Sequence, residues 1–206
     1  FSFEAGGTLD QLEIIYHTSE RPYKQGDRVV WLCHALTANS DPLDWWPEMV
    51  GEGCCVNPDS DYVVCVNIFG SAYGTTGPRD VWSPDSGDRN NPLSFPKFTV
   101  RDTARLFTLV REHLGIEYVD LLIGSSIGGF HALEWAIMEG ERIRKAAFIA
   151  TAPRVSPWLS AWMEVQRMAL EADPTFRACE SLDGGRKGLE AARAISLISY
   201  RSFDGY

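Results

Sequence analysis

No run in this chain approaches the length of a membrane span, and its N-terminus lacks the charged head and apolar segment of a secretion signal. The expected setting is therefore soluble and cytoplasmic. Basic residues are few: 19 Lys and Arg stand against 28 Asp and Glu, for a net charge of -9. Nucleic-acid backbones and anionic membranes call for clustered Lys and Arg, so neither is an expected partner. The five cysteines, Cys33, Cys54, Cys55, Cys65 and Cys179, are odd in number and include no C-x-x-C pair. They read as reduced thiols, with no structural zinc and no other bound metal implied. Cys33 and Cys65 fall inside apolar runs, where a buried thiol behaves as a small hydrophobe. Histidine is scarce too: the chain has four, and only His131 lies beyond residue 126. Internal repeats and low-complexity tracts are missing.

What is present is a chain of 206 residues, long enough for one domain with a core that needs no staples. It is organised around residues 118–140, YVDLLIGSSIGGFHALEWAIMEG. A short apolar run at 119–123 meets Gly124-Ser125-Ser126-Ile127-Gly128, after which Phe130, Leu133, Ile137 and Met138 recur at helical spacing. The pattern predicts a strand, an abrupt turn and a helix. Small residues around one serine let the backbone bend sharply, as in a G-x-S-x-G nucleophile elbow, and hold the hydroxyl up at the helix start. Unpaired N–H groups and the positive end of the helix dipole favour negative charge there, which suits the oxyanion of acyl transfer. The candidate nucleophile is Ser126. A glycine-rich turn with no chemistry is the other reading of the same letters.

In chain order, residues 1–18 alternate around Gly6-Gly7 and read as a leading hairpin, with Leu12, Ile14 and Tyr16 on one face. Residues 28–34 and 62–68 are continuous β-prone runs of the kind buried on both faces of a sheet. The loop 35–40 follows the first of them. In folds that use a serine elbow this loop supplies the second oxyanion N–H, which selects Leu36 to act beside Ile127. His34 precedes Ser126, the wrong order for a catalytic histidine in such folds, and reads as shaping the loop. Residues 44–50 suggest a short helix whose Trp45 and Trp46 pack on the sheet. A long Gly- and Pro-rich loop spans 70–96 and is expected to form one wall of the site. Residues 99–114 have amphipathic spacing, a capping box in Thr99 and Asp102, and Gly115 as a stop, with Arg101, Asp102 and Arg105 read as solvent-facing ion pairs. Residues 145–151 make a further strand. Strand alternating with helix implies an α/β fold with a mostly parallel sheet and helices on both faces. From Pro153 onward only helices are expected, at 156–172 and 188–200. The domain reading is a core at 1–152 and an incomplete helical lid at 153–206.

Together these residues resemble the homoserine O-acetyltransferase family, serine acyltransferases of the α/β-hydrolase fold. The likeness rests on Cys33-His34-Ala35-Leu36-Thr37-Ala38 with Trp45-Trp46, on Gly74-Thr75-Thr76-Gly77-Pro78, and on Phe95-Pro96 leading to Thr99-Val100-Arg101-Asp102. It continues through Gly124 to Gly129, Ala132-Leu133-Glu134-Trp135, Gly188-Leu189 and Ala192-Arg193. The resemblance implies that Ser126 takes an acetyl group from acetyl-CoA and passes it to the hydroxyl of L-homoserine, in methionine biosynthesis. CoA enters as a co-substrate, with no bound cofactor. It also implies Arg193 as the ligand of the acceptor carboxylate, Tyr200 as a supporting contact, and a homodimer formed through the lid. Arg193 and Tyr200 are seven apart, on one helix face; the bland alternatives are a surface arginine and a core tyrosine.

The sequence departs from that pattern in two places. Ser125 stands where the elbow usually has glycine. More seriously, the triad of this fold runs Ser, Asp, His, and the one later histidine, His131, sits five positions along the elbow helix, where it is expected to point along or away from the site. The acids Glu171, Asp173, Glu180, Asp183 and Asp204 all fall in the lid and none is assigned. The expectation is a truncated α/β-hydrolase fold, nearly inactive alone, with the base and its carboxylate on a C-terminal fragment of the same enzyme. An ester hydrolase, a succinyl-transferring relative and a catalytically dead binding module are the alternatives.

Overall fold

A computed structural model describes residues 1–80, 95–178 and 183–205. The chain forms two compact units, one of residues 1–77 with 96–153 and one of 78–95 with 154–206. In the first, the described strands are β1 (Tyr16–Thr18), β2 (Arg28–Cys33), β3 (Asp61–Val66), β4 (Leu121–Ser125) and β5 (Ala146–Ile149). They lie in the order β1-β3-β2-β4-β5, with β1 antiparallel to β3 and every other pairing parallel. The α/β expectation holds, with a mostly parallel sheet.

The side-chain alternation of β2 builds both layers of the core. Trp31 points to one face, its ring centroid 6.0 Å from Phe107 of α2 (Val100–His113) and 4.6 Å from Trp135 of α3 (Ile127–Glu139). Val30 and Leu32 point to the other, where Val63, Cys65 and Ile123 meet Val50, Val56, Trp46 and Met49. That face is covered by residues 46–56, which follow α1 (Pro42–Trp45). Such rings are worth several kcal/mol each; cutting a buried Trp to Ala costs about 3–5 kcal/mol. Burial also raises the thiol pKa of Cys33 and Cys65, which keeps both sulfurs protonated.

Local signals set the helix ends. Thr99 caps α2 in a full capping box with Asp102, and Gly115 follows the helix at φ +69°. Asp102 itself corrects the sequence reading: it is fully buried, and its carboxylate accepts the amides of Thr99 and Glu4 at 2.9 and 3.0 Å. It ties the N-terminal segment to α2. Arg101 is exposed and pairs with Glu134, whereas Arg105 is half-buried and pairs with Asp102. The leading hairpin is also corrected. Around Gly6-Gly7 there is one antiparallel bridge, Ser2 with Thr8, and the later strand β1 pairs with β3 instead. The edge of an existing sheet offers β1 more partners than an isolated two-stranded ribbon does. The short helix begins earlier than predicted because Asp41 caps Leu43 N–H and Pro42 takes the first helical position, and it ends before Pro47. Of the 70–96 loop, residues 81–94 lie outside the described residues, as does Cys179.

The second unit contains α4 (Pro157–Glu171), α5 (Pro174–Ala178) and α6 (Arg186–Ser199). Asp173, just past α4, accepts the amides of Thr175 and Gly188 at 2.9 and 3.0 Å, so one carboxylate ends one helix and starts another. At Gly188 a Cβ would fall 2.8 Å from the Leu170 carbonyl oxygen, which is why α4 and α6 can cross closely there. The buried Ser196 hydroxyl donates to Gln166 Oε1 between the same two helices.

Candidate active site

The parallel strands β2, β4 and β5 end side by side, with Cys33 opposite Gly124 and Ser125 opposite Ile149. Beyond Ser125 the chain reverses into α3 through a single residue, Ser126, at φ 55° and ψ -121°. A non-glycine residue in that region is strained and persists only where its surroundings over-determine it. They do so here. The Ser126 amide donates to the Ile149 carbonyl and the Ser126 carbonyl accepts from Gly129 N–H, both at 3.0 Å. The side chain is exposed.

The glycines of the motif are demanded by packing. A Cβ on Gly124 would lie 2.5 Å from the Gly128 carbonyl oxygen and 2.6 Å from the Ala132 Cβ, so the strand could not meet the helix. A Cβ on Gly128 would lie 2.1 Å from the carbonyl oxygen of Cys33 and 2.6 Å from that of His34. The second contact also places the loop that carries Leu36, since it leaves β2 directly against the first turn of α3. Neither Leu36 nor Ile127 donates its amide to any group among the described residues. These are two N–H groups without a partner among the described residues, one on the loop that leaves β2 and one next to Ser126 in the chain.

The histidines are elsewhere. His34 is buried; its Nδ1–H donates to the Ala35 carbonyl at 2.8 Å and its Nε2 accepts from Ile68 N–H at 3.4 Å. Burial lowers its pKa, so the ring is neutral and shapes the loop as the sequence suggested. His131 is buried edge-on to Phe107, its Nδ1 unpartnered among the described residues, and desolvation with neighbouring His34 depresses its pKa to about 4. His17 bonds Ser40 and His113 meets the Tyr16 ring. Among the described residues none hydrogen-bonds Ser126. A groove of about 560 Å³ on the same unit, walled by His17, Pro42 and Asn57, includes none of the elbow residues.

In the second unit, Arg193 is exposed on α6 with no ion pair or hydrogen bond among the described residues. Tyr200 forms the C-cap of that helix and is 63% exposed, so it is not a core tyrosine. The sequence did not reveal the part that Ile149 plays in holding the Ser126 amide. That partner is 23 positions away and acts through its carbonyl, which carries no side-chain signature.

A mostly parallel sheet in which β4, flanked by β2 and β5, breaks into a helix through a left-handed serine has the build of an α/β hydrolase, and the comparisons agree. A family model described as alpha/beta hydrolase fold matches residues 28–198, and the chain belongs to that family. Its curated relatives carry the name of the group that the motifs resemble. "Homoserine O-acetyltransferase" of Nostoc punctiforme is 39% identical over 208 residues, covering 100% of this chain and 58% of the relative. The protein of the same name from Cyclobacterium marinum is 38% identical over 97% of this chain and 56% of its own length. Among solved structures, homoserine O-acetyltransferase from Staphylococcus aureus is 28% identical with a TM-score of 0.77, covering 100% of this chain and 57% of that one. Esterase E22 shares the fold, with a TM-score of 0.83 at 23% identity over 95% of this chain and 58% of its own. The chain thus spans a little over half the length of the relatives it matches.

Proposed function

We propose that this chain is the nucleophile-bearing portion of an acyltransferase that moves an acetyl group from acetyl-CoA to the hydroxyl of L-homoserine. The observation that carries the reading is Ser126, exposed at φ 55° at the kink from β4 into α3, with the amides of Leu36 and Ile127 unpaired among the described residues. In the first step Ser126 Oγ bonds to the thioester carbonyl carbon, its proton passes to a base, and the two amides stabilise the oxyanion. The C–S bond then breaks, CoA leaves as its thiol with that proton, and an acyl-serine remains. In the second step the acceptor hydroxyl attacks, its proton goes to the base, and Ser126 Oγ is released and reprotonated. One serine thus serves donor and acceptor in turn.

Preference for an amino-acid hydroxyl over water requires the acceptor to be held by its charged ends. Arg193 is assigned to the carboxylate, which its planar fork suits, and Tyr200 to a supporting contact. The exposed, unpaired state of Arg193 supports this. The base and its carboxylate are assigned to chain beyond these residues, since both later-placed and nearby histidines are buried in the core. Homoserine as acceptor and a homodimer as assembly rest on the relatives' names and the family resemblance.

The test is acetyl transfer from acetyl-CoA to L-homoserine, on this chain alone and on a chain of the relatives' full length. The longer chain is expected to turn over and Ser126→Ala to abolish it. The isolated chain is expected to keep only the residual rate of a serine hydrolase without its triad, roughly 10³–10⁴-fold over water. A normal enzymatic rate from the isolated chain contradicts the division of labour. Acetyl-CoA hydrolysis without transfer favours the hydrolase reading, and no reaction with either chain favours a binding module.

A further inference from the structure

The hydrogen bond from Ser126 N–H to Ile149 is half of a contact between the elbow and the end of β5. Thr151 makes the other half. After Ile149 the chain turns through Ala150, whose φ of 50° is left-handed and unusual for a residue with a Cβ. That turn lays the Thr151 side chain over the Cα of Gly129. A Cβ built on Gly129 would fall 2.3 Å from Thr151 Cγ2, 2.6 Å from its Cβ and 2.7 Å from its Oγ1. The Thr151 hydroxyl is buried and bonded to nothing among the described residues, so the side chain acts there by shape. Gly129 in turn donates its amide to the Ser126 carbonyl. Both peptide groups that flank the strained serine are therefore gripped from one segment, the amide by Ile149 and the carbonyl through Gly129 beneath Thr151.

We propose that Thr151 is a positioning residue for the nucleophile: its side chain wedges against Gly129 and keeps Ser126 in the left-handed conformation that projects Oγ. This rests on the reading of Ser126 as the nucleophile. A residue at such a φ relaxes when one of its restraints goes. With the wedge trimmed, the first turn of α3 gains room at its back, Ser126 loses its fixed direction, and the hydroxyl shifts relative to the amides of Leu36 and Ile127. Small displacements of a reacting group cost large factors in rate.

The test compares Thr151→Val, which keeps the shape and removes the hydroxyl, with Thr151→Ala, which removes the wedge, and with Ser126→Ala as the chemical control. Two quantities are read on this chain: the rate at which a fluorophosphonate modifies Ser126, mapped by mass spectrometry, and the amide exchange of Ser126 and Gly129. Thr151→Val is expected to match the parent in both. Thr151→Ala is expected to label on the order of tenfold more slowly, with faster exchange at Ser126 while the amides of β2 keep their protection. If Thr151→Ala fails to fold, Thr151→Ser, a milder trim, is expected to show the same changes in smaller measure. Parent-like labelling and exchange in the trimmed variants overturn the wedge, and so does Thr151→Val behaving like Thr151→Ala. Failure of the nucleophile reading looks different, because label would then survive Ser126→Ala. Exchange requires no base, so it decides the question even where labelling of the parent is slow.

Discussion

At the elbow, main chain meets main chain: the carbonyls of Cys33, His34 and Gly128 lie where the side chains of Gly124 and Gly128 would be, and a strained serine is bonded on both sides. The helices of the 154–206 unit meet differently. There α4 and α6 share a buried Ser196–Gln166 hydrogen bond and a close crossing at Gly188, yet Trp158, Met168, Leu197 and Ile198 are left 72%, 58%, 50% and 53% exposed. One region has its conformation fixed by contacts that leave no room for change. The other carries apolar surface of the kind that marks an interface. Chemistry that depends on placing one oxygen belongs on the first kind of structure; binding that must admit and release substrates can use the second.

That contrast breaks first at Gly128. Gly128→Ala puts a Cβ onto the Cys33 carbonyl oxygen, a backbone atom that cannot swing aside, and is expected to cost more than about 3 kcal/mol in urea unfolding or to prevent folding. If it is tolerated, the elbow is softer than its packing implies.

The next effect is acid sensitivity. His131 has a folded-state pKa depressed from about 6.5 to about 4 by burial, so below pH 6.5 the unfolded chain binds a proton that the folded chain refuses. Stability should therefore fall as pH drops from about 6.5 towards 4, by roughly 3 kcal/mol at about 1.4 kcal/mol per pKa unit. His34 shifts in the same direction and adds to the slope. His131→Leu should flatten most of it in urea titrations at a series of pH values, and an unchanged slope would remove His131 as its source.

Smaller changes sharpen the comparison. Ser196→Ala leaves Gln166 Oε1 short of its donor and should cost about 1–2 kcal/mol, seen as faster amide exchange in α4 and α6 while β2 and β4 keep their protection. Ser126→Gly should go the other way. By relieving a positive φ it should raise stability by about 0.5–1 kcal/mol, measured as a higher melting temperature, while ending any chemistry. Leu197→Ala, on exposed surface, should change stability by less than about 0.5 kcal/mol.

Features written into neighbouring residues were legible in the sequence, and features made by distant ones were not. The strand, kink and helix at 119–139 could be read because Gly124, Ser126 and Gly128 lie within five residues of one turn, and the capping box of Thr99 and Asp102 spans one helical turn. The burial of Asp102 could not be read, because Glu4, whose amide it accepts, is 98 positions away. The pairing of β1 with β3 rather than with the first residues was hidden for the same reason: a short strand goes to the sheet edge that offers hydrogen bonds, and alternation does not name that edge. For the site, the kinked, exposed serine and the unpaired amide after it were visible in the motif. The free amide of Leu36 follows from where β2 ends beside β4, which a strand pattern alone does not give.

The central claim is that Ser126 is the acyl-carrying oxygen, held out of the core, and mapping a serine-directed fluorophosphonate on a chain of the relatives' full length, where the proposed base is supplied, tests it most directly. The expected result is a single phosphonyl group on the peptide containing Ser126, formed as fluoride leaves, and its loss in Ser126→Ala. Modification confined to other serines, or unchanged by that substitution, would contradict the account.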